Sequence, residues 1–181
     1  MKLKIVKIGN PVLRMKTRAL SKAATQLKKF QIFLKNMTIT MRLAQGVGIA
    51  ANQVGVNLRA LVMECRGNKR YPRGGAFPLQ AYFNPKIIHY SKARLSGWEG
   101  CLSIPGFRGK VSRSRQVTLE ALTADGCKVR KTFRDFEARV VQHEVDHLNG
   151  FFYIDRMDNL KTWTHLEEFN KNFNLSVRDT K

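Results

Sequence analysis

Apolar residues at Leu20, Ala24, Leu27, Phe30, Leu34, Met37, Met41 and Ala44 recur every three or four positions. That spacing predicts an amphipathic helix over residues 21–44. Lys22, Lys28, Lys29, Lys35 and Arg42 fall between them, on the side the stripe leaves to solvent, and Gly46 ends the helix. Ahead of it, residues 3–8 alternate loosely until Gly9-Asn10-Pro11 breaks them, which predicts a short strand or extended arm. Residues 58–64 read as a buried strand, and residues 65–80, rich in Gly, Pro and Arg, as a loop. In residues 81–90 a turn at Asn84-Pro85 precedes a strand around Ile87 and Ile88. Residues 111–122 and 129–133 predict a strand pair joined through Ala124-Asp125-Gly126. Helices are expected over residues 136–148 and 160–173, and no internal repeat interrupts the chain. Strands packed around helices without a βαβ rhythm argue for an α+β fold. Antiparallel strands would surround the helix at 136–148, with the whole chain, 1–181, as one domain and a flexible tail from about 174 to 181.

Charge changes the picture more than composition does. The net charge is +20, and residues 1–98 hold 19 Lys or Arg against the single acid Glu64, hence +18 of it. A field of that size bears on partners and points to a polyanion such as RNA. No apolar run approaches the ~20 residues of a membrane helix, and the basic N-terminus lacks the apolar block of a signal or transit peptide. A cytoplasmic protein is expected. Cys65, Cys101 and Cys127 are an odd count without framework spacing, which favours a reducing compartment and a chemical use for at least one thiol.

The candidate chemistry lies in Gln142-His143-Glu144-Val145-Asp146-His147, an H-E-x-x-H pattern on the helix at 136–148. Residues four apart on a helix share a face, so His143 and His147 can reach one metal ion. Glu144 projects beside that ion, where it can take a proton from water the metal activates. A catalytic metal usually takes a third protein ligand. A metzincin would place His where Tyr153 stands, so that reading fails. Glu167 and Glu168 sit at a thermolysin-like distance downstream, while upstream Cys101 lies on a sharp bend, Gly100-Cys101-Leu102-Ser103-Ile104-Pro105-Gly106. On spacing alone both remain open.

Three ordered stretches, GVGIAANQ at 46–53, EGCLS at 99–103 and QHEVDH at 142–147, together with the IGNPVLR start, resemble the peptide deformylases, from Ile5 to about Asp158. The resemblance implies a metallohydrolase that removes the N-formyl group from nascent peptides beginning with formyl-methionine. It implies Cys101, His143 and His147 as metal ligands, with iron(II) the expected ion and zinc or nickel able to replace it. Glu144 would be the general acid and base, and Gln53 with the Leu102 N–H would meet the formyl oxygen. Gly48 and Arg108 would contact the peptide backbone, and Val47, Phe136 and Val140 would line a methionine pocket. The glycines of the first motif leave room for the peptide to pair as an added strand. Two positions depart from many bacterial members: Arg139 and Gly97 stand where an apolar residue is common, and the stem of Arg139 would then join the pocket wall. Arg113 and Glu99 are a candidate ion pair bracing the cysteine loop.

Two other functions compete. A thermolysin-like peptidase would use Glu167 or Glu168, and a basic RNA-binding protein would close a structural zinc site with Cys65, Cys101, His143 and His147. For the deformylase reading the partners are the N-formylated nascent peptide and, through the basic half, the ribosome or its RNA, with no membrane.

Overall fold

The computed structural model describes residues 1–67 and 75–173, so the expected tail at 174–181 lies outside the described residues. Two antiparallel sheets sandwich one helix. The first has five strands in the order β1 (Gly48–Ala50), β2 (Ala60–Cys65), β3 (Phe77–Tyr90), β6 (Gln116–Leu122) and β7 (Lys128–Arg134). The second joins β4 (Arg94–Cys101), β5 (Ile104–Ser114) and β8 (Thr164–His165). The helices are α1 (Lys22–Thr25), α2 (Lys28–Leu43), α3 (Asp135–Leu148) and α4 (Leu166–Asn172). Helix α3 touches strands of both sheets, so the expected α+β architecture around a central helix is what forms.

The core follows that placement. Val140, Val141, Val145 and Leu148 of α3 pack with Leu61, Met63, Val117, Leu119 and Phe133 of the first sheet. Helix α2 covers the other face of the same sheet, where Leu34, Met37 and Met41 meet Ile49, Val62 and Phe83. Burying side chains of this size stabilises by about 1.5–3 kcal/mol each.

Several expected boundaries move, each for a local reason. The helix expected at 21–44 breaks at Leu27, which is extended (ψ 134°). Gln26 Nε2 donates to Asp125 O at 3.0 Å and Gln31 Nε2 to Thr25 O at 2.8 Å, so side chains on either side of the break anchor it to the 124–126 turn and to α1. Residues 3–8 form an extended arm that joins no sheet, tied down by Val6 N to Gln53 O and Ile8 N to Ser103 O, both 2.9 Å. The turn expected at Asn84-Pro85 is a bulge inside the long strand β3, with Asn84 at φ +51° and its side chain bonded to both backbone groups of Leu20. Residues 77–80, expected as loop, begin that strand. Residues 111–122 divide at Arg115 between β5 and β6, which belong to different sheets. Of the helix expected at 160–173 only α4 forms, because Thr164 and His165 pair with Arg108 and Phe107 of β5.

The C-terminus of α3 fixes the site from below. Its last carbonyls would be orphans. Thr17 Oγ1 donates to Leu148 O at 2.9 Å, Asn52 Nδ2 to His147 O at 2.6 Å, and Arg59 Nη1 to Leu148 O at 3.3 Å. Gly150 then turns the chain at φ +83°, so close to the N-terminal segment that a Cβ there would lie 2.5 Å from Arg14 O and 2.9 Å from Arg14 C. Gly150→Ala therefore combines a left-handed backbone penalty of about 1–2 kcal/mol with overpacking against main chain of about 1–3 kcal/mol. For a domain of this size each kcal/mol moves the melting temperature by roughly 2–4 °C. A fall of about 5–15 °C in thermal unfolding is expected, and a fall below 2 °C would show that the segment at Arg14 yields freely.

Candidate metal centre and substrate cavity

Cys101, His143 and His147 each offer a ligand atom, and these atoms all lie within 4.8 Å of one another. The helix spacing supplies the two imidazoles. The thiol comes from the end of β4, where Cys101 pairs with Ile104 across the two-residue turn Leu102-Ser103. Cys101 Sγ lies 3.1 Å from His147 Nε2 and accepts from Ser103 N at 3.3 Å and Gln53 Nε2 at 3.4 Å. Cys101 and His147 are buried, and the His147 Nδ1 has no protein partner. Burial alone would raise the Cys101 thiol, yet the facing His147 and His143 imidazoles hold it well below its usual range. A thiolate and two imidazoles converging in a dry pocket suit a divalent transition metal.

His143 is oriented from behind. Glu99 Oε2 lies 3.0 Å from His143 Nδ1, which directs the opposite ring nitrogen toward the cluster. Glu99 is itself gripped by Arg113, whose Nε and Nη2 donate to its two oxygens at 2.9 and 3.0 Å. The expected Arg113–Glu99 pair is thus present, and it braces a histidine as well as the cysteine loop. Burial would push the Glu99 carboxyl up, but Arg113 and His143 hold it far below the usual carboxylate range. Arg113 also donates to Asp146, which Arg156 Nη2 reaches at 2.7 Å. Gln142 docks the helix on β5 by accepting from Ser114 N at 3.1 Å and donating to Ser114 O at 2.8 Å.

A cavity of about 450 Å³, mouth included, opens over this cluster. Val47, Gly48, Gln53, Leu102, Phe136, Val140, His143 and Glu144 line it, as do Trp98 and Arg139, so most of the residues singled out in the sequence meet at one place. Arg108 is not among the lining residues: it is buried against Gly100, with its guanidinium over the Phe169 ring. Gln53 Oε1 is held by Ala50 N at 2.8 Å, which aims its amide NH₂ at the cluster. Glu144 is 3% exposed, and its Oε2 finds no partner in the protein. Burial raises its carboxyl to about 7, against the pull of the two histidines.

Sequence reasoning missed three supports: Glu99 as the partner of His143, Gln142 as the dock on β5, and the Asp146–Arg156 extension. Glu99, Gln142 and Asp146 all lay inside recognised motifs, but none has a chemistry-bearing spacing of its own. The rival third ligands fall away. Glu168 sits on the exposed face of α4 paired with Lys171, and Cys65 is packed in the apolar core. Neither belongs to the metal-capable group found among the described residues.

An H-E-x-x-H helix sandwiched between antiparallel sheets, with a third ligand from a neighbouring hairpin and a buried glutamate at the cavity wall, defines a metal-dependent hydrolase. The chain belongs to the polypeptide deformylase family, whose model matches residues 2–163. It is 39% identical over 166 residues to a peptide deformylase of Leptospira biflexa, covering 91% of this chain and 93% of that one. It is 38% identical over 180 residues to peptide deformylase 2 of a Nostoc species, covering 99% and 97%. Among solved structures, the Met-Ala-Ser-bound class I type b peptide deformylase from Acinetobacter baumannii superposes with a TM-score of 0.85 at 36% identity, covering 87% of this chain and 99% of that one. The peptide deformylase of Thermotoga maritima gives 0.78 at 31% identity, covering 88% and 99%.

Gly48 keeps the glutamate in place. A Cβ there would lie 2.8 Å from Glu144 Cδ and 2.9 Å from its Cγ. Gly48→Ala should displace the carboxyl while leaving the three ligand atoms untouched. General acid–base catalysis by a positioned carboxyl supplies about 10²–10⁴-fold, part of which a displaced one would lose. The expected result is a turnover at least tenfold lower with metal content unchanged. Wild-type turnover would show that Glu144 shifts without consequence.

Proposed function

We propose that this chain removes the formyl group from formyl-methionine at the N-terminus of nascent polypeptides, releasing formate. The convergence of Cys101, His143 and His147 beneath a cavity whose wall includes His143, Glu144 and Gln53 carries the reading. In it Cys101, His143 and His147 hold the metal, iron(II) as the family resemblance implies, with zinc or nickel able to replace it because a thiolate and two imidazoles suit those ions as well. A divalent ion bound there supplies Lewis acidity, polarising a carbonyl and lowering the pKa of water to about 7.

The protein's own groups do the rest. Val47, Phe136, Val140 and the stem of Arg139 receive the unbranched thioether side chain of methionine. Gly48, on the short edge strand β1, lets the peptide backbone come close and pair as an added strand. Arg108, packed against Gly100 beside Cys101, contacts that backbone as the family resemblance implies. The Gln53 amide and the Leu102 N–H face the formyl oxygen as negative charge develops on it, and losing one such donor typically costs about 2.7–4 kcal/mol. Glu144 takes the proton of the attacking water and passes it to the amine nitrogen as the C–N bond breaks.

Metal analysis paired with deformylation of formyl-Met-Ala-Ser, on protein prepared with and without oxygen, tests this reading. Wild type should release formate, faster with iron(II) than with zinc, and the iron form should decay in air as oxygen attacks ion and thiolate. Glu144→Ala should keep its metal and lose turnover by about 10²–10⁴-fold. Metal loss in that variant would make Glu144 a ligand, and absence of formate release from wild type would sink the assignment.

The basic half suggests a second partner, the ribosome, in the cytoplasm where nascent chains emerge. Among the described residues no helix is long and apolar enough to cross a membrane. Lys28, Lys29 and Lys35 are exposed on α2, and the N-terminal arm bearing Lys2 and Lys4 is tied to the same helix through Leu3 N and Thr40 Oγ1 at 2.8 Å. Such a face favours phosphate contact and counterion release. Changing Lys28, Lys29 and Lys35 to Glu should leave hydrolysis of a short formyl peptide near wild type while weakening ribosome co-sedimentation and flattening its dependence on salt. Identical affinities and slopes across a salt series would remove α2 as the contact.

A further inference from the structure

Gly97 and Arg139 fit one another. Gly97 lies on β4 opposite Val111 of β5, and a Cβ placed on it would come 3.0 Å from Arg139 Nη2 and 3.1 Å from its Cζ. The guanidinium of Arg139 therefore occupies the space that a side chain at position 97 would take. Arg139 is 7% exposed, although its stem lines the substrate cavity. Its Nη1 donates to Glu99 Oε1 at 2.7 Å and to Val111 O at 2.9 Å, with Gly97 O at 3.4 Å, and its Nη2 donates to Leu95 O. The acceptors come from both strands of the hairpin and from the one carboxylate that orients His143.

Arg139 is a second cation on Glu99, brought from a different element. Arg113, from β5, takes both carboxylate oxygens, Nε on Oε1 and Nη2 on Oε2, while Oε2 also serves His143. Arg139, from α3, adds a second donor on Oε1, so the carboxylate is held by guanidinium groups from both β5 and the ligand-bearing helix. A planar guanidinium with donors in a rigid fork can hold a carboxylate and two strand carbonyls together, which a lysine cannot. We propose that Arg139 is a positioning residue: seated in the gap left by Gly97, it ties the wall of the substrate cavity to Glu99 and through it sets the orientation of His143. The proposal rests on His143 being a metal ligand.

The test is a double-variant cycle on zinc-loaded enzyme, read by the rate of zinc loss to a competing chelator, by the melting temperature in saturating zinc, and by kcat and KM for formyl-Met-Ala-Ser. Arg139→Met keeps the stem and removes the fork, and Gly97→Val pushes the fork away from Glu99 without touching Arg139 itself. Each should speed zinc loss about tenfold, the lower end of what partners of metal-ligating histidines contribute. Arg139→Lys, with one donor for Glu99, should fall between Arg139→Met and wild type. In Gly97→Val combined with Arg139→Met, the valine fills the vacated space, so the melting temperature should recover toward wild type while zinc loss stays as fast as in Arg139→Met alone. Zinc retention that recovers together with the melting temperature would make Arg139 a packing residue and overturn the proposal, as would zinc loss within twofold of wild type in both single variants. A wild-type chain that binds no zinc would overturn this proposal and the metal reading together.

Discussion

A helix buried on nearly every side cannot carry charged and hydrogen-bonding groups unless each finds a partner inside the protein. Helix α3 buries Arg139, Gln142, Glu144, Asp146 and His147. Leaving one such group unpaired costs several kcal/mol, more when it is charged. The two sheets are arranged to meet those demands. Strand β5 presents Ser114 to Gln142 and Arg113 to Asp146, and β4 presents Glu99 to Arg139 and His143. The exceptions, Glu144 Oε2 and His147 Nδ1, lie on two residues of the metal motif, where a group held ready for chemistry is expected to be unsatisfied by the protein.

Glu99 concentrates the consequences. A single carboxylate accepts from two arginines and a histidine, so the ligand geometry of α3 and the position of the hairpin bearing Cys101 are set by the same group. Removing one member of a buried charge cluster typically costs 3–5 kcal/mol, because the others are left uncompensated. The second sheet is joined to the rest of the protein by this cluster, by an apolar core in which Cys101, Ile104 and Val111 meet Leu13, Phe152 and Tyr153, and by the aromatic contacts of Trp98 with Phe169 and Phe173.

The sequence carried the ligand helix and the chemistry of its motif almost whole, because a four-residue histidine spacing has one geometric meaning on a helix. It carried α2, β2, β6 and β7 through periodicity. It was silent on β4 and on the first half of β5, where Gly97, Gly100, Gly106 and Gly109 and a run of charged residues erase the alternation that marks a strand. At Gly97, Gly100 and Gly109 the space a side chain would need is filled by Arg139, Arg108 and Met157, and Gly106 takes a left-handed φ of +78°; tertiary fit of that kind leaves no local trace. The break in α2 at Leu27 was hidden for a related reason: the apolar stripe continues across it, and only the bonds of Gln26 and Gln31, which reach the 124–126 turn nearly a hundred residues away, end the helix. Arg139 was visible as an unusual residue, but its direction, away from the cavity and into the hairpin, depends on a vacancy forty-two residues distant.

The N-terminal segment closes under the far end of α3, where Thr17 bonds to Leu148, 131 residues later, and the arm at residues 6–8 is held by Gln53 and Ser103. Contacts so distant in sequence form late, since loop-closure entropy must be overcome before any of them contributes. During its own synthesis the chain therefore has no finished binding site until Leu148 has left the ribosome. Until then Thr17 lacks the carbonyl at the end of α3 that it settles against. This enzyme of nascent chains spends most of its own translation as an open, unsealed nascent chain, dependent on its charge rather than on its core to stay apart from its neighbours.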